Sequence, residues 1–375
     1  QLAGEIWGSG KAKKVNRKYV AGLIISGSTP REVLSDLGIV PDFQFQSSSS
    51  GEGLDYIHRR TESGDIYFIR NIDSVAVQVE ASFRVAGKQP EFWDATDLSM
   101  KKAGIFQEKD GRTHLPITLP AWGSLMVVFQ DDLIGNDRYI TQVVQGEEKL
   151  FPRTEEMEPY RPFSIIQEED NPWAFQAAQP GNYQLQWSNG TTEEITIDES
   201  QTIAWEGPWD VRFPLGWGVE PLQTFEELVS WTEAEEPNLK YFSGTATYRN
   251  QLEVTAEQLS GEQEVWLDLG EVREAANVYL NGVQVNRSCF APYRYDVTDV
   301  LRPGKNFLVV KVANTWENRM KGDVHVAPED AFTNTNVASG NSWADRPWKD
   351  KPLQPSGLLG PVRIILQPTV NLSTP

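Results

Sequence analysis

The 375-residue sequence holds one cysteine, Cys289. No intrachain disulfide can form, and no cysteine-based metal cluster can be built. Cys289 stands beside Phe290 in a strand-like run, so a buried, inert thiol is expected there. Positive charge is scarce: 34 Lys and Arg stand against 53 Asp and Glu, for a net charge of −19. That balance argues against a nucleic-acid partner, which needs basic patches against phosphate. It suits the solubility of a periplasmic or extracellular protein. No run of ~18 apolar residues occurs, so no membrane span is expected. There is no EF-hand spacing and no His pair. The sequence lacks a first Met and a signal-peptide pattern. Trp7-Gly8-Ser9-Gly10-Lys11 leads straight into structured sequence, so the expectation is a fragment whose N-terminal part lies upstream.

Apolar residues are plentiful by contrast, at 39% with 13 Trp, enough for a sizeable core and for two or three domains. Val265, Leu267 and Leu269 alternate with Trp266 and Asp268, the period of a half-buried strand. Asn277 to Leu280 and Val283 to Val285 flank Asn281-Gly282, a type I′ hairpin signal. Asn306 to Val312 follows a Pro303-Gly304 turn and is rich in β-branched residues. Further upstream, Tyr56 to Arg60 and Ile66 to Ile69 read as a hairpin turned by Glu62 to Asp65. Val75, Val77, Val79 and Ala81 share one face of the next strand. Tyr183 to Trp187 and Glu193 to Ile197 flank Ser188-Asn189-Gly190 in the same way. Short strands between turn signals, without helical period, predict antiparallel β-sandwiches.

Helical signals are few. Val20 to Ile25 is a strand candidate. After it, Thr29 suits an N-cap, Pro30 the first helical position and Glu32 the partner in a capping box. Val33, Leu34 and Leu37 form the apolar face, and Gly38 ends the helix. This α/β element is too short to fold alone. A second helix is predicted over Phe225 to Trp231, capped by Thr224. Val143 to Pro162 is acidic and proline-containing and reads as a linker, and Gln46 to Gly53 as a surface loop.

Two resemblances rest on particular phrases. FSGTATYR, LDLGEVREAANVYLNGVQV and PYRYDVTDVLRPGKNFLVVKVANTWENR, closed by PSGLLGPV, resemble the jelly-roll sugar-binding domain of family 2 glycoside hydrolases, over Phe242 to Leu366. IHRRTESGDIYFIRN, FRVAGKQPEFWDATDL and LPAWGSLMVVF resemble the region after the catalytic part of family 106 α-L-rhamnosidases. The jelly roll comes last here, as in family 106 and unlike family 2. The expected fold is mainly β: two antiparallel sandwiches, the second a galactose-binding-like jelly roll, preceded by a short α/β remnant. The expected division is 1–45 as the tail of an upstream α/β catalytic-region domain, 54–135 as the first sandwich, 136–240 as linker and bridging strands, and 241–368 as the jelly roll.

The resemblance implies the accessory region of a glycoside hydrolase that cleaves terminal α-L-rhamnosides. Its partners are then a rhamnose-containing glycan and an upstream catalytic domain or chain. Glycosidic cleavage needs two carboxyl groups flanking the bond. In family 106 these lie on a (β/α)8 barrel, which does not fit into the ~45 residues before the first sandwich. No catalytic residue is therefore expected here, and the isolated chain is expected to be inactive. A pair of non-catalytic carbohydrate-binding or structural modules, or a piece of a family 2-like β-glycosidase, are the alternatives.

Candidate substrate-binding residues follow from chemistry and from the family. His58 and Arg59 form a cationic spot in a strand, suited either to a substrate or to ion pairs between domains. In family 2 enzymes a loop after the matching jelly-roll strand supplies an Asp to the sugar site; Asp323 is the analogous position, with His325 and Trp316 nearby. A Trp face stacks on a sugar ring while carboxylate and amide groups hold hydroxyls. The long loop Ala327 to Asp350 adds Asn334, Asn336, Trp343 and Trp348. Family 106 is associated with calcium, so a Ca²⁺ in the jelly roll is an option without assigned ligands.

Overall fold

The computed structural model describes residues 15–47, 53–96, 98–133, 138–153, 162–167, 173–333 and 351–372. Antiparallel strands dominate, and three helices of seven residues or fewer punctuate the described chain. Buried apolar side chains gather into three cores.

The first core lies between two sheets. One orders Phe43–Ser47, Val77–Phe83, Arg112–Leu119 and Gln107–Lys109. The facing sheet has eight strands, starting from the Leu54–Arg60 and Asp65–Asn71 hairpin. Alternation does the sorting: Tyr67 and Ile69 are fully buried while Phe68 between them is largely exposed. Val77, Val79 and Ala81 turn inward as their spacing predicts, whereas Val75 precedes the strand and stays exposed.

The second core is built where a linker was expected. Ile140–Gln145, Glu148–Phe151, Gly181–Trp187 and Thr192–Ile197 form a four-stranded sheet. Ile140, Val143, Leu150 and Phe151 are buried in it. Their runs are short and interrupted by Glu147 and Glu148, which hid the pattern in the sequence. Phe163–Gln167 and Ala174–Ala177 extend the eight-stranded sheet of the first sandwich, and the chain's last strand, Val370–Asn371, pairs with Ala174–Ala177.

The third core is the jelly roll. A six-stranded sheet orders Leu222–Phe225, Trp209–Arg212, Thr245–Val254, Gly304–Ala313, Ala275–Leu280 and Val283–Ser288. A four-stranded sheet orders Gln201–Ala204, Arg363–Pro368, Gln263–Asp268 and Arg294–Asp296 against it. Strands from Gln201 onward thus join the jelly roll, earlier in the chain than Tyr241. Asn281 and Gly282 have φ of 54° and 84°, the positive pair that a type I′ turn needs. Asn281 also donates from Nδ2 to Asn306 Oδ1 at 2.7 Å, which ties the turn to the neighbouring strand.

Three local expectations are corrected. Phe225 to Trp231 is no helix: Leu222–Phe225 is a strand, and a 3₁₀ turn at Trp231–Glu233 is capped by Ser230 instead of Thr224. The strand wins because Leu222 to Phe225 completes the sheet edge beside Trp209–Arg212. Cys289 is exposed, because the strand ends at Ser288 and the chain bends there, with Ser288 Oγ donating to Phe290 O. The helix Pro30–Asp36 has its capping box, but Leu34 and Leu37 remain exposed.

The jelly-roll core is keyed by one hydroxyl. Tyr248 OH accepts from Trp231 Nε1 at 2.6 Å and from Leu358 N at 3.2 Å, fully buried. Gly357, at φ +109°, has no room for a side chain here, since a Cβ would lie 2.7 Å from both Trp231 Nε1 and Tyr248 OH. Tyr248→Phe strips the acceptor from two buried donors and is expected to cost about 2 kcal/mol. A lower urea midpoint at unchanged slope checks it; an unchanged midpoint refutes the assignment.

Candidate functional site

Two clusters contain sequence-predicted residues. The first sits where the N-terminal α/β element meets the first sandwich. Alternation along Leu54–Arg60 places Tyr56 and His58 on one face and leaves Arg59 exposed on the other. His58 Nδ1 lies 2.7 Å from Asp42 Oδ2, and its Nε2 lies 2.7 Å from Asp65 Oδ1. Its ring stacks on Tyr67 at 4.1 Å and 6°. Tyr56 OH donates to the second oxygen of Asp42 at 2.8 Å, and Arg60 Nε donates to Asp65 at 2.8 Å. A carboxylate oxygen therefore faces each ring nitrogen of His58. Burial pushes the Asp42 carboxyl up, but the hydrogen bonds from Tyr56 and His58 and the electrostatic pull of His58 outweigh it, so it sits below its ordinary range. Burial and the bond to Asp42 push Tyr56 up to about 12.

These two carboxylates are not poised as a glycosidase pair, since the imidazole fills the gap where a glycosidic bond would lie. The arrangement is a clamp: Asp42 follows the helix, His58 belongs to the first hairpin, and the ion pairs pin one to the other. His114, on Arg112–Leu119, is half-buried, and burial with the nearby Arg112 lowers its affinity for a proton.

The second cluster surrounds the helix Glu317–Asp323 at one end of the jelly roll. Asn318 faces inward, donating to Gln354 O at 2.7 Å and accepting from Gln354 N at 2.8 Å. Lys321 is buried against Glu317 at 2.8 Å and the carbonyl of Pro352. Arg319 and Asp323 form a buried ion pair at 2.9 Å, with side chains 4% and 7% exposed. The contact is ionic, since the Arg319 Nε–H is not aligned for a hydrogen bond with Asp323 Oδ1. Asp323 Oδ2 accepts from Thr333 N and Oγ1 at 2.8 and 2.6 Å. The guanidinium lies over the Phe332 ring at 4.8 Å and near Tyr241 at 5.8 Å.

Aromatic rings cover this pair. Trp217 stacks on Phe332 at 5.6 Å and 8° and meets Trp316 at 5.7 Å. Trp316 is 55% exposed and Phe332 41%, so both present ring surface to solvent. His325 is exposed near Tyr241. Asp323, His325 and Trp316 are therefore brought together, with the carboxylate already engaged by Arg319 and Thr333. His58 belongs to the clamp, while Arg59 is exposed on the other face of its strand. Asn334, Asn336, Trp343 and Trp348 lie outside the described residues. Trp217, Arg319 and Phe332 carried no sequence signal of their own, being separated along the chain by up to 115 positions and assembled only by the fold. For calcium, no group of three or more His, Cys, Asp or Glu able to hold an ion is found among the described residues.

Comparison with known proteins follows this geometry. Residues 1–107 match the glycoside hydrolase family 106 model, described as α-L-rhamnosidase. Residues 230–343 match the glycosyl hydrolase 2 galactose-binding domain-like model. Both matched regions are glycoside hydrolase regions. A curated relative from Formosa agariphila, provisionally named a beta-glucuronidase, is 32% identical over 275 residues, 65% of this chain and 24% of its own. The structure of a rhamnosidase from Novosphingobium sp. PP1Y covers 97% of this chain at 28% identity and a TM-score of 0.63, using 28% of its own length. A beta-glucuronidase from Ruminococcus gnavus aligns over 44% of this chain and 28% of its own at 21% identity, but its TM-score of 0.32 carries no argument. The chain spans about a quarter of the length of the relatives it matches. Among the described residues no helix is long and apolar enough to cross a membrane.

The clamp gives a signed pH dependence. A carboxyl whose folded pKa is depressed stabilises the fold above its unfolded value and loses that contribution as pH falls through the folded value. Asp42→Asn is thus expected to destabilise at pH 6 and to lose its difference from wild type as pH drops below the ordinary 3.8. Urea unfolding of both proteins across pH 2.5 to 6 checks it; a constant difference refutes it.

Proposed function

We propose that this chain is the accessory region of a glycoside hydrolase that removes terminal α-L-rhamnose from a polysaccharide or glycoside, with the catalytic carboxylates on a domain outside it. The observation that carries the reading is the agreement with the Novosphingobium rhamnosidase over 97% of this chain. The family 106 match at residues 1–107 supports it. So does the lack of a free carboxylate pair in either cluster: Asp42 and Asp65 are filled by His58, and Asp323 is held by Arg319 and Thr333.

In this reading the N-terminal element is a docking piece. The ribbon Val15–Tyr19 and Gly22–Ser26 pairs only with itself among the described residues, and a lone two-stranded ribbon is marginal in water. Val20, Leu23, Leu34 and Leu37 are all exposed. The catalytic domain covers them, and the Asp42–His58–Asp65 clamp fixes its angle to the sandwich. At the other end, Trp316 and Phe332 stack on sugar rings, with His325 as a hydroxyl partner and Asp323 holding the platform through Arg319. The protein acts in the periplasm or outside the cell, where its polysaccharide is.

A second reading has its own support: the Formosa relative suggests a β-glucuronidase as the parent activity. Assays of the longer protein on aryl α-L-rhamnosides and aryl β-glucuronides decide between the two. The 375-residue chain alone is expected to turn over neither, and turnover of an aryl rhamnoside by that chain overturns the accessory role. Trp316→Ala is expected to weaken binding of rhamnose-containing oligosaccharides about tenfold, near 1.4 kcal/mol, in a tryptophan-fluorescence titration. Unchanged affinity removes the platform from the proposal.

A further inference from the structure

The outer face of the six-stranded jelly-roll sheet is basic in a chain of net charge −19. Its inner face is fixed by the buried residues Val211, Ala246, Val278, Val310 and Val312, so the alternate positions turn outward. The register lines up one row across five strands. Arg212 pairs with Thr247, Thr247 with Lys311, Lys311 with Asn277, and Asn277 with Arg287. Cations therefore fall on every second strand, about 10 Å apart, with a neutral polar residue between each pair. The next row adds Arg249 beside Asp210, and Tyr279, whose ring lies under Lys311 Nζ at 5.3 Å.

Arg212, Arg249, Arg287 and Lys311 are all exposed. Among the described residues none of the four is paired with a carboxylate. Elsewhere, Arg60, Arg70, Arg273 and Arg363 each hold an Asp or Glu. The row crosses the sheet without a carboxylate in it; Asp210 and Glu253 are the acidic residues among its outward neighbours on Trp209–Arg212 and Thr245–Val254. A row of unpaired cations on a flat face attracts a linear polyanion, and an acidic molecule confines that attraction to this face.

The geometry points to this face as a binding site for an anionic polysaccharide, one carrying carboxylate or sulfate groups at intervals of about one disaccharide. The cations take the anionic groups, and Thr247, Asn277 and Tyr279 supply hydroxyl and amide partners between them. A glycan is favoured over a nucleic acid because both matched family regions are glycoside hydrolase regions. The inference uses that kinship alone, and holds whether the parent cleaves rhamnosides or glucuronides.

Native affinity electrophoresis of the 375-residue chain tests it, with polygalacturonate and dextran sulfate as carboxylate and sulfate arms and pullulan as the neutral one. Retardation by at least one polyanion at low salt, weakened by added salt, and none by pullulan, is expected. The variant R212S/R287S/K311S is expected to lose at least tenfold in affinity. The variant K102S/K109S/K149S changes net charge equally, away from the face, and is expected to stay within twofold of wild type. Equal losses in both variants overturn the site, as does undiminished retention in the first. Double-stranded DNA binding as tight as the better polyanion overturns the glycan assignment. So does self-association in sedimentation that R212S/R287S/K311S abolishes.

Discussion

Open strand edges have to be paired, and that requirement arranges the molecule. The eight-stranded sheet of the first sandwich would end at Ser99–Ala103, leaving a row of unmet N–H and C=O groups. Instead Phe163–Gln167 adds to that edge, Ala174–Ala177 follows, and Val370–Asn371 closes the series after the jelly roll is complete. The last of these carries Leu372 into the second core and is held by Leu372 N to Trp173 O at 2.7 Å. One backbone ladder thus joins segments nearly 200 positions apart. Swinging the jelly roll away from the sandwich would break this ladder and expose the second core. The two matched family regions are therefore presented at a fixed angle to each other.

The N-terminal element obeys a different rule. Along core-forming strands such as Asp65–Asn71 and Arg112–Leu119 alternate residues are buried; in Gly22–Ser26 and Pro30–Asp36 none is. Local signals are in place, with Glu32 and Thr29 bonded reciprocally, so the helix forms from its caps while its apolar face waits for a cover. Where it enters the sandwich, the polar clamp at Asp42 stands beside the buried, strand-paired Phe43. An apolar joint of this size could slide, since hydrophobic contact is non-directional. A ring nitrogen facing a carboxylate on each side cannot, because both bonds demand one orientation of the imidazole.

Much of the fold was legible in the sequence, because period-two patterns and turn dipeptides are local. The Asn281-Gly282 hairpin, the Thr29 capping box and the Glu62 to Asp65 turn all stand where the residues put them. The second core was not legible, since Ile140, Val143, Leu150 and Phe151 acquire meaning only when Tyr183 to Trp187 lies beside them. Phe225 to Trp231 misled for the same reason: an edge strand was decided by Trp209–Arg212, not by its own propensity. At the site, Trp316 and Asp323 were visible as residue types. Which of them is free was not, because the partners Trp217, Thr333 and Phe332 arrive from other loops.

That distinction shapes recognition. Arg319, Lys321 and Asp323 spend their charges inside the jelly roll, and each is matched there. Taking one partner from such a pair leaves an uncompensated buried charge, which is far costlier than the pair is stabilising. A ligand cannot recruit Asp323 without stranding Arg319. In the proposed function, sugar contact at this end falls to ring faces, which leave the ion pair beneath them intact. The outward cations of the six-stranded sheet are in the opposite position. Among the described residues they have no carboxylate partner to give up, so the proposed polyanion displaces only water and counterions from them. The two proposed surfaces thus differ in origin, one built on buried charge and the other on exposed charge.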